Sequence, residues 1–204
     1  MDAGRRQESH LDGARARRGC GCRKDYGCQS RGGALRCFVL PVDAIWFALK
    51  AATDPTSYPE LHYFDPHDAE MLRLKAEYWC ERHIRSAEAI SQAMDPVIEY
   101  YLWERWPVIV EGAWITPAAA ARWPRQYDAV RAVFIHEPDV DEVLAAMVAR
   151  SGTITPRKKV SSKVYWLFGH WVREQALAEG LPVVDAPPRG TLTERVLAAT
   201  ELSR

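Results

Sequence analysis

Cysteine is scarce in most of this chain, and long apolar runs are absent from all of it. Five cysteines occur in 204 residues, and four of them (Cys20, Cys22, Cys28 and Cys37) fall within the first 37. Only Cys80 lies beyond them, which excludes a disulfide framework there and fits a reducing compartment. No apolar stretch approaches the roughly 18 residues of a membrane-spanning helix, and no apolar signal core opens the chain. The expected location is therefore the cytoplasm, with no membrane partner. Net charge is missing too. Lys+Arg and Asp+Glu are both 27, which argues against a protein that coats nucleic acid. His62, His67, His83, His136 and His170 are scattered without metal-ligand spacing, so a metal hydrolase is a weak reading. No internal repeat occurs.

What is present suits a single α/β domain, with 48% hydrophobic residues to build its core. The sequence divides into a leader, residues 1–37, and a body, residues 38–204. In the body, short apolar runs alternate with helical patterns, as in a parallel sheet flanked by helices. Phe38 to Asp43 reads as a strand ending in a carboxylate, and Ala44 to Ala52 as a helix. A long helical region is expected from Pro66 to about Arg105, with Met71, Leu74, Tyr78, Ile84, Ala87 and Ile90 near helical spacing and a break or kink at Pro96. Val108 to Glu111 is an uninterrupted apolar strand, expected to be covered on both faces. Arg131 to Ile135 is the next strand. Asp139 with Glu142 predicts a capping box for a helix over 140–150, closed by Gly152. Pro156 to Lys159 reads as a basic connector to a helix from about Ser162 to Glu179. Leu181 to Val184 is a last strand, and a helix follows from Leu192, capped by Thr191 and Glu194.

Ligands of open parallel sheets bind at the carboxyl ends of the strands, where Asp43 and Glu111 both fall. Paired carboxylates there suit phosphoryl transfer, in which they hold Mg²⁺ or orient an attacking hydroxyl. Gly112 would let backbone or substrate approach closely. A second, cationic group (Arg150, Arg157, Lys158, Lys159, Lys163 and Arg173) reads as a mobile flap that offsets charge on transferring phosphates. Most charge runs are solvated faces, so only one or two of the six are expected to function. Lys163 and Arg173 are the candidates for substrate contact. The aromatics beside them, Tyr165, Trp166, Phe168 and Trp171, read as core.

Four segments carry a resemblance: Val108-Ile109-Val110-Glu111-Gly112 with Pro117, Phe134-Ile135-His136-Glu137-Pro138-Asp139, Tyr165 to Arg173, and Leu181-Pro182-Val183-Val184. With Pro41 to Trp46, they resemble the P-loop kinases related to 2-phosphoglycerate kinase, over residues 38–202. The resemblance implies a nucleoside-monophosphate-kinase-like fold and ATP- and Mg²⁺-dependent phosphorylation of a small molecule. It implies Asp43 on the substrate side, Glu111 on the Mg²⁺ side, Arg150 and Arg157 as lid arginines, and Arg189 beside the adenine. The departure from the family is severe. The phosphate loop, G-x-x-x-x-G-K-S/T, occurs nowhere in the chain, and the first strand and first helix are missing with it. The expected activity is accordingly impaired, and a non-catalytic small-molecule- or protein-binding remnant is the alternative. The lost strand would leave an exposed sheet edge through which the chain could self-associate.

The genetic code offers an account of the leader. Read one nucleotide downstream, the codons of Lys24-Asp25-Tyr26 must encode Lys or Arg, then Thr or Ile, then Thr or Met. Arg18 and Arg23 each permit Gly in that frame, so a G-x-x-x-x-G-K-T-T loop fits across Arg18 to Tyr26. Gly13 to Arg17 permit a Val/Leu strand, and Gly27 to Gly33 an Ala/Val-rich helix, which is the order that the motif requires. The leader thus reads as a frame-shifted, disordered start of a kinase. The competing reading is a metal site at Cys20, Cys22, Cys28 and Cys37, whose spacing does not match the paired pattern of zinc sites. A basic arm for nucleic acid is a further reading, and the body does nothing to support it.

Overall fold

A computed structural model describes residues 37–63 and 68–201. The disorder expected of residues 1–36 and the helix start expected at Pro66 lie outside the described residues. Strand β1 (Phe38–Pro41) runs directly into α1 (Val42–Ala52). Then come α2 (Pro59–His62), α3 (Asp68–Arg73), α4 (Ala76–Gln92) and α5 (Met94–Glu104), followed by β2 (Val108–Glu111). The rest is α6 (Pro117–Gln126), β3 (Phe134–His136), α7 (Val140–Ser151), α8 (Pro156–Ala178), β4 (Val183–Asp185) and, after a 3-10 turn at Arg189–Thr191, α9 (Leu192–Ala199). No helix among the described residues is long and apolar enough to cross a membrane.

The architecture is mixed α/β with parallel strands, but the strands form two separate pairs. β1 lies beside β2, with Phe38 opposite Val108 and Pro41 opposite Glu111. β3 lies beside β4, with Phe134 opposite Val183 and His136 opposite Asp185. The expectation that apolar strands are covered on both faces is corrected here. Val39 and Ile109, neighbours in register, are each 43% exposed, and Ile135 is 42% exposed. On the second pair the exposure stops at Ile135, because its register partner Val184 is buried at 8% exposure.

The core forms where α4 meets α8. Trp79, His83, Ala87 and Ile90 recur at three- and four-residue steps along α4, and Val164, Phe168, Val172 and Ala176 do so along α8, so each helix presents one continuous buried stripe. Tyr78, expected in that stripe, is exposed instead, and Arg82 lies over its ring. The expected long helix divides twice, at Leu74 and Lys75 between α3 and α4 and at Ala93, three residues before Pro96. Pro96 occupies the first turn of α5, where its missing N–H costs nothing. Asp139 caps α7 by accepting from the Asp141 amide at 2.8 Å. Glu142 does not complete the predicted box, because its carboxylate meets Arg189. Helix α8 begins six residues earlier than predicted. Thr155 accepts from the Lys158 amide at 3.2 Å and Pro156 sets the first turn, so the basic stretch is helix rather than connector.

Gly112 ends β2 with φ +152°, and a Cβ there would lie 3.1 Å from Val42 Cβ. Its close approach is therefore to the start of α1. Gly112→Ala should destabilise the fold by about 1–3 kcal/mol, the cost of forcing an L side chain into a sparsely populated backbone region. Urea titration of the two proteins measures it, and equal midpoints would contradict the assignment.

Candidate functional site

The carboxyl end of the β1–β2 pair is built from both strand termini. β1 stops at Pro41, the register partner of Glu111, and Val42 already belongs to α1. Asp43 therefore stands in the first turn of a helix rather than at a strand tip, where the helix dipole favours its charge. Asp43 Oδ1 accepts a hydrogen bond from Trp114 Nε1 at 2.7 Å. Trp114, buried on the link from β2 to α6, lies against Trp46 with ring centroids 5.0 Å apart. On its other side it stacks on His83 of α4 at 4.4 Å. His83 meets Tyr165 of α8 edge-on at 5.4 Å and Phe168 at 4.2 Å. Helices α1, α4 and α8 thus converge on one aromatic wall with a carboxylate at its rim.

The wall carries charge at its far end. Burial raises the Tyr165 phenol above its ordinary range, Asp43 raises it further, and Arg150 and Arg157 pull it back down. The charges of Asp43, Arg150 and Arg157, which come from α1, α7 and α8, are therefore all felt at the Tyr165 phenol. These are three of the four residues in which the sequence places catalysis. Glu111, the fourth, is exposed at the end of the neighbouring strand. An exposed carboxylate at a strand end is the kind of group that suits Mg²⁺, which is held by one or two carboxylates and completed by phosphate oxygens and water. The sequence holds no G-x-x-x-x-G-K-S/T loop to cradle a triphosphate. Among the described residues, no group of three or more His, Cys, Asp or Glu side chains gathers to hold a metal.

No family model, curated protein or solved structure matches the chain.

The other predicted residues are dispersed. Lys163 lines an open cleft of about 490 Å³ with Leu74, Lys75, Glu77 and Lys159, a different surface from the aromatic wall. At 100° per residue, Lys163 lies roughly 160° round α8 from Tyr165. Arg173 is exposed near the other end of α8, about 24 Å along the axis from Arg157 at 1.5 Å per residue. The expected cationic flap is thus not one site, because a rigid helix separates its members. Arg189 is held by Glu137 at 2.8 Å and Glu142 at 3.3 Å, at the end of the β3–β4 pair.

Trp114, His83 and Tyr165 were not expected to line the site. The available signal was His83 on the apolar stripe of α4, a position that more often belongs to a packed core. Burial pushes its imidazole down to about 3 from an ordinary 6.5. The unfolded chain then takes up a proton between those values that the folded chain refuses. Stability should therefore fall as pH drops from 6.5 towards 3, by about 1.4 kcal/mol per unit from this group. His83→Phe keeps a ring in the stack and removes this term, so it should gain on the native protein as pH falls. Urea unfolding at several pH values tests this, and parallel profiles for the two proteins would refute it. Burial also pushes the Cys80 thiol up to about 11, which makes it a packing residue rather than a nucleophile.

Proposed function

We propose that residues 38–204 are the body of an ATP- and Mg²⁺-dependent small-molecule kinase of the P-loop class, related to 2-phosphoglycerate kinases and impaired because the phosphate-binding loop is absent. The observation that carries this reading is Asp43, held by Trp114 Nε1 at 2.7 Å just past the carboxyl end of a parallel strand pair, with Arg150 and Arg157 as opposing charges felt at the neighbouring Tyr165. Phosphoryl transfer needs little covalent help from protein. It needs a carboxylate to orient the attacking hydroxyl, cations to offset charge on the transferring group, and a dry wall to sharpen both effects. Asp43 has the first role, held in place by Trp114. Arg150 and Arg157 have the second. Trp46, Trp114 and Tyr165 form the packed wall behind Asp43, and a small hydroxy-compound would lie at the exposed carboxylate. ATP and Mg²⁺ would supply the phosphoryl group and its neutralisation, with Glu111 as the ion's carboxylate. Arg189, engaged by Glu137 and Glu142, borders the loop where the base would sit.

The fold supports the same reading from another side. Two separate parallel pairs, the first with Val39 and Ile109 exposed on one face, fit a sheet that lacks a central strand and its following helix. Calorimetry with ATP and Mg²⁺, on the chain as it stands and on one with the loop restored, tests the proposal. If the restored chain neither binds ATP nor turns over a substrate, the kinase reading fails and a non-catalytic binding remnant replaces it.

A further inference from the structure

A second group of titratable side chains lies on the other strand pair. His136 and Asp185 are register partners on β3 and β4, so their side chains leave adjacent strands on the same face. Asp185 Oδ1 is 2.9 Å from His136 Nδ1. His136 Nε2 is 3.3 Å from Nδ1 of His170, which lies on α8. His170 Nδ1 is also 3.2 Å from the Trp166 carbonyl oxygen. The chemistry of the partners orders the protons. A carboxylate only accepts, so His136 donates from Nδ1 and its Nε2 carries the lone pair of a neutral ring. A carbonyl also only accepts, so His170 donates from Nδ1, shared between the carbonyl and His136 Nε2. By elimination, His170 Nε2 holds a lone pair.

The surroundings hold this arrangement in place. His136 is buried at 6% exposure, while the Asp185 side chain is 59% exposed. The Trp166 ring lies 4.3 Å from the His170 ring, and Trp166 Nε1 donates to the Pro138 carbonyl at 2.9 Å. Arg195 donates to the backbone oxygens of Asp185 and Ala186, and the Ala186 amide donates to the His136 oxygen at 2.7 Å. The nearby charges Glu137, Glu142 and Arg189 are engaged with one another.

We propose that Asp185, His136 and His170 form a proton relay that makes His170 Nε2 a general base towards the hydroxyl of a small ligand bound at the carboxyl end of the β3–β4 pair. A base oriented by a second group, itself oriented by a third, is the arrangement that activates hydroxyl nucleophiles. In the step, the ligand O–H bond breaks, an N–H bond forms at His170 Nε2, and the electron pair stays on the ligand oxygen. The Nδ1 proton of His170 moves to His136 Nε2, so the positive charge comes to rest beside the Asp185 carboxylate. His136 and Asp185 are positioning residues, because they act through His170. This site belongs to a different strand pair from Asp43 and does not rest on the kinase reading.

The test uses the full chain and needs no knowledge of the ligand. Nitrogen-15 NMR of the imidazole rings near neutral pH should find both His136 and His170 protonated at Nδ1 and bare at Nε2. Asp185→Asn, at an exposed position that leaves folding intact, should shift the His170 tautomer although the substituted side chain does not touch that ring. Diethyl pyrocarbonate gives a chemical readout. Its carbonyl carbon is attacked by the bare nitrogen, and ethyl carbonate leaves. Acylation of His170 should slow by about tenfold in Asp185→Asn, the scale on which losing an outer orienting partner of a histidine acts. A native His170 protonated at Nε2, or a tautomer and acylation rate unchanged by Asp185→Asn, would overturn the relay.

Discussion

Restoring the shifted frame across Arg18 to Tyr26 should convert a chain that does not take up ATP into one that does. Lys24 stands between Arg23 and Asp25, without the flanking glycine of a phosphate loop. The phosphate loop normally supplies a cradle of backbone amides together with the lysine that reaches the β- and γ-phosphates. Calorimetry on the chain as written should therefore show no micromolar, Mg²⁺-dependent binding. The restored chain should bind, and its thermal midpoint should rise when ATP is added. It should also self-associate less, because the shifted frame permits a strand that would pair with the sheet edge left exposed by its loss. In the restored protein, Glu111→Gln should lower turnover at least about 100-fold, as loss of a main electrostatic contributor does, with folding unchanged. Turnover against a panel of small hydroxy-compounds reads this out. Micromolar ATP binding by the unrepaired chain would contradict the account at its first step.

Trp114→Ala should be among the most damaging single substitutions for the fold. The side chain is 3% exposed and lies between Trp46 and His83, so its removal leaves a cavity that three packed helices cannot close. Large-to-small changes of this kind cost about 3–5 kcal/mol. Trp114→Phe should cost much less, because a ring remains in the stack and the freed Asp43 carboxylate is exposed to water. The two variants separate packing from hydrogen bonding. Trp114→Phe should still weaken substrate turnover in the restored kinase, because Asp43 loses the donor that orients it. Urea unfolding gives both stabilities, and a loss under about 1 kcal/mol for Trp114→Ala would show that the wall is not a packed unit.

The features that were legible are those with a local cause. Apolar runs marked the strands, Asp139 and Gly152 bounded α7, and Glu111 closed its strand, whereas Asp43, expected at a strand end, stands in the first turn of α1. Arg150 and Arg157 were also picked out, as charges beside the turn between two helices. Local signals misled where several readings share one pattern. The basic stretch at Arg157 to Lys159 looked like a connector because its charges hide the cap that Thr155 and Pro156 provide. Tyr78 was placed in the core because a helical period alone does not separate one face from the next residue round.

By itself, the sequence determined the alternation of strands and helices, the carboxylates at the first strand pair, and the absence of a phosphate loop. Only the tertiary structure decided that Trp114 reaches Asp43 across 71 residues, that His83 and Tyr165 join them, and that His136 meets both Asp185 and His170. It also decided that the strands form two pairs and that the cations of α8 lie on different faces. The physical reason is one of range. Caps, turns and periodicity act over a few residues and are written in the order of the chain. Which side chains meet across tens of residues depends on how the helices pack, and a lone His or Trp reads the same in a sequence whether it fills a core or lines a site.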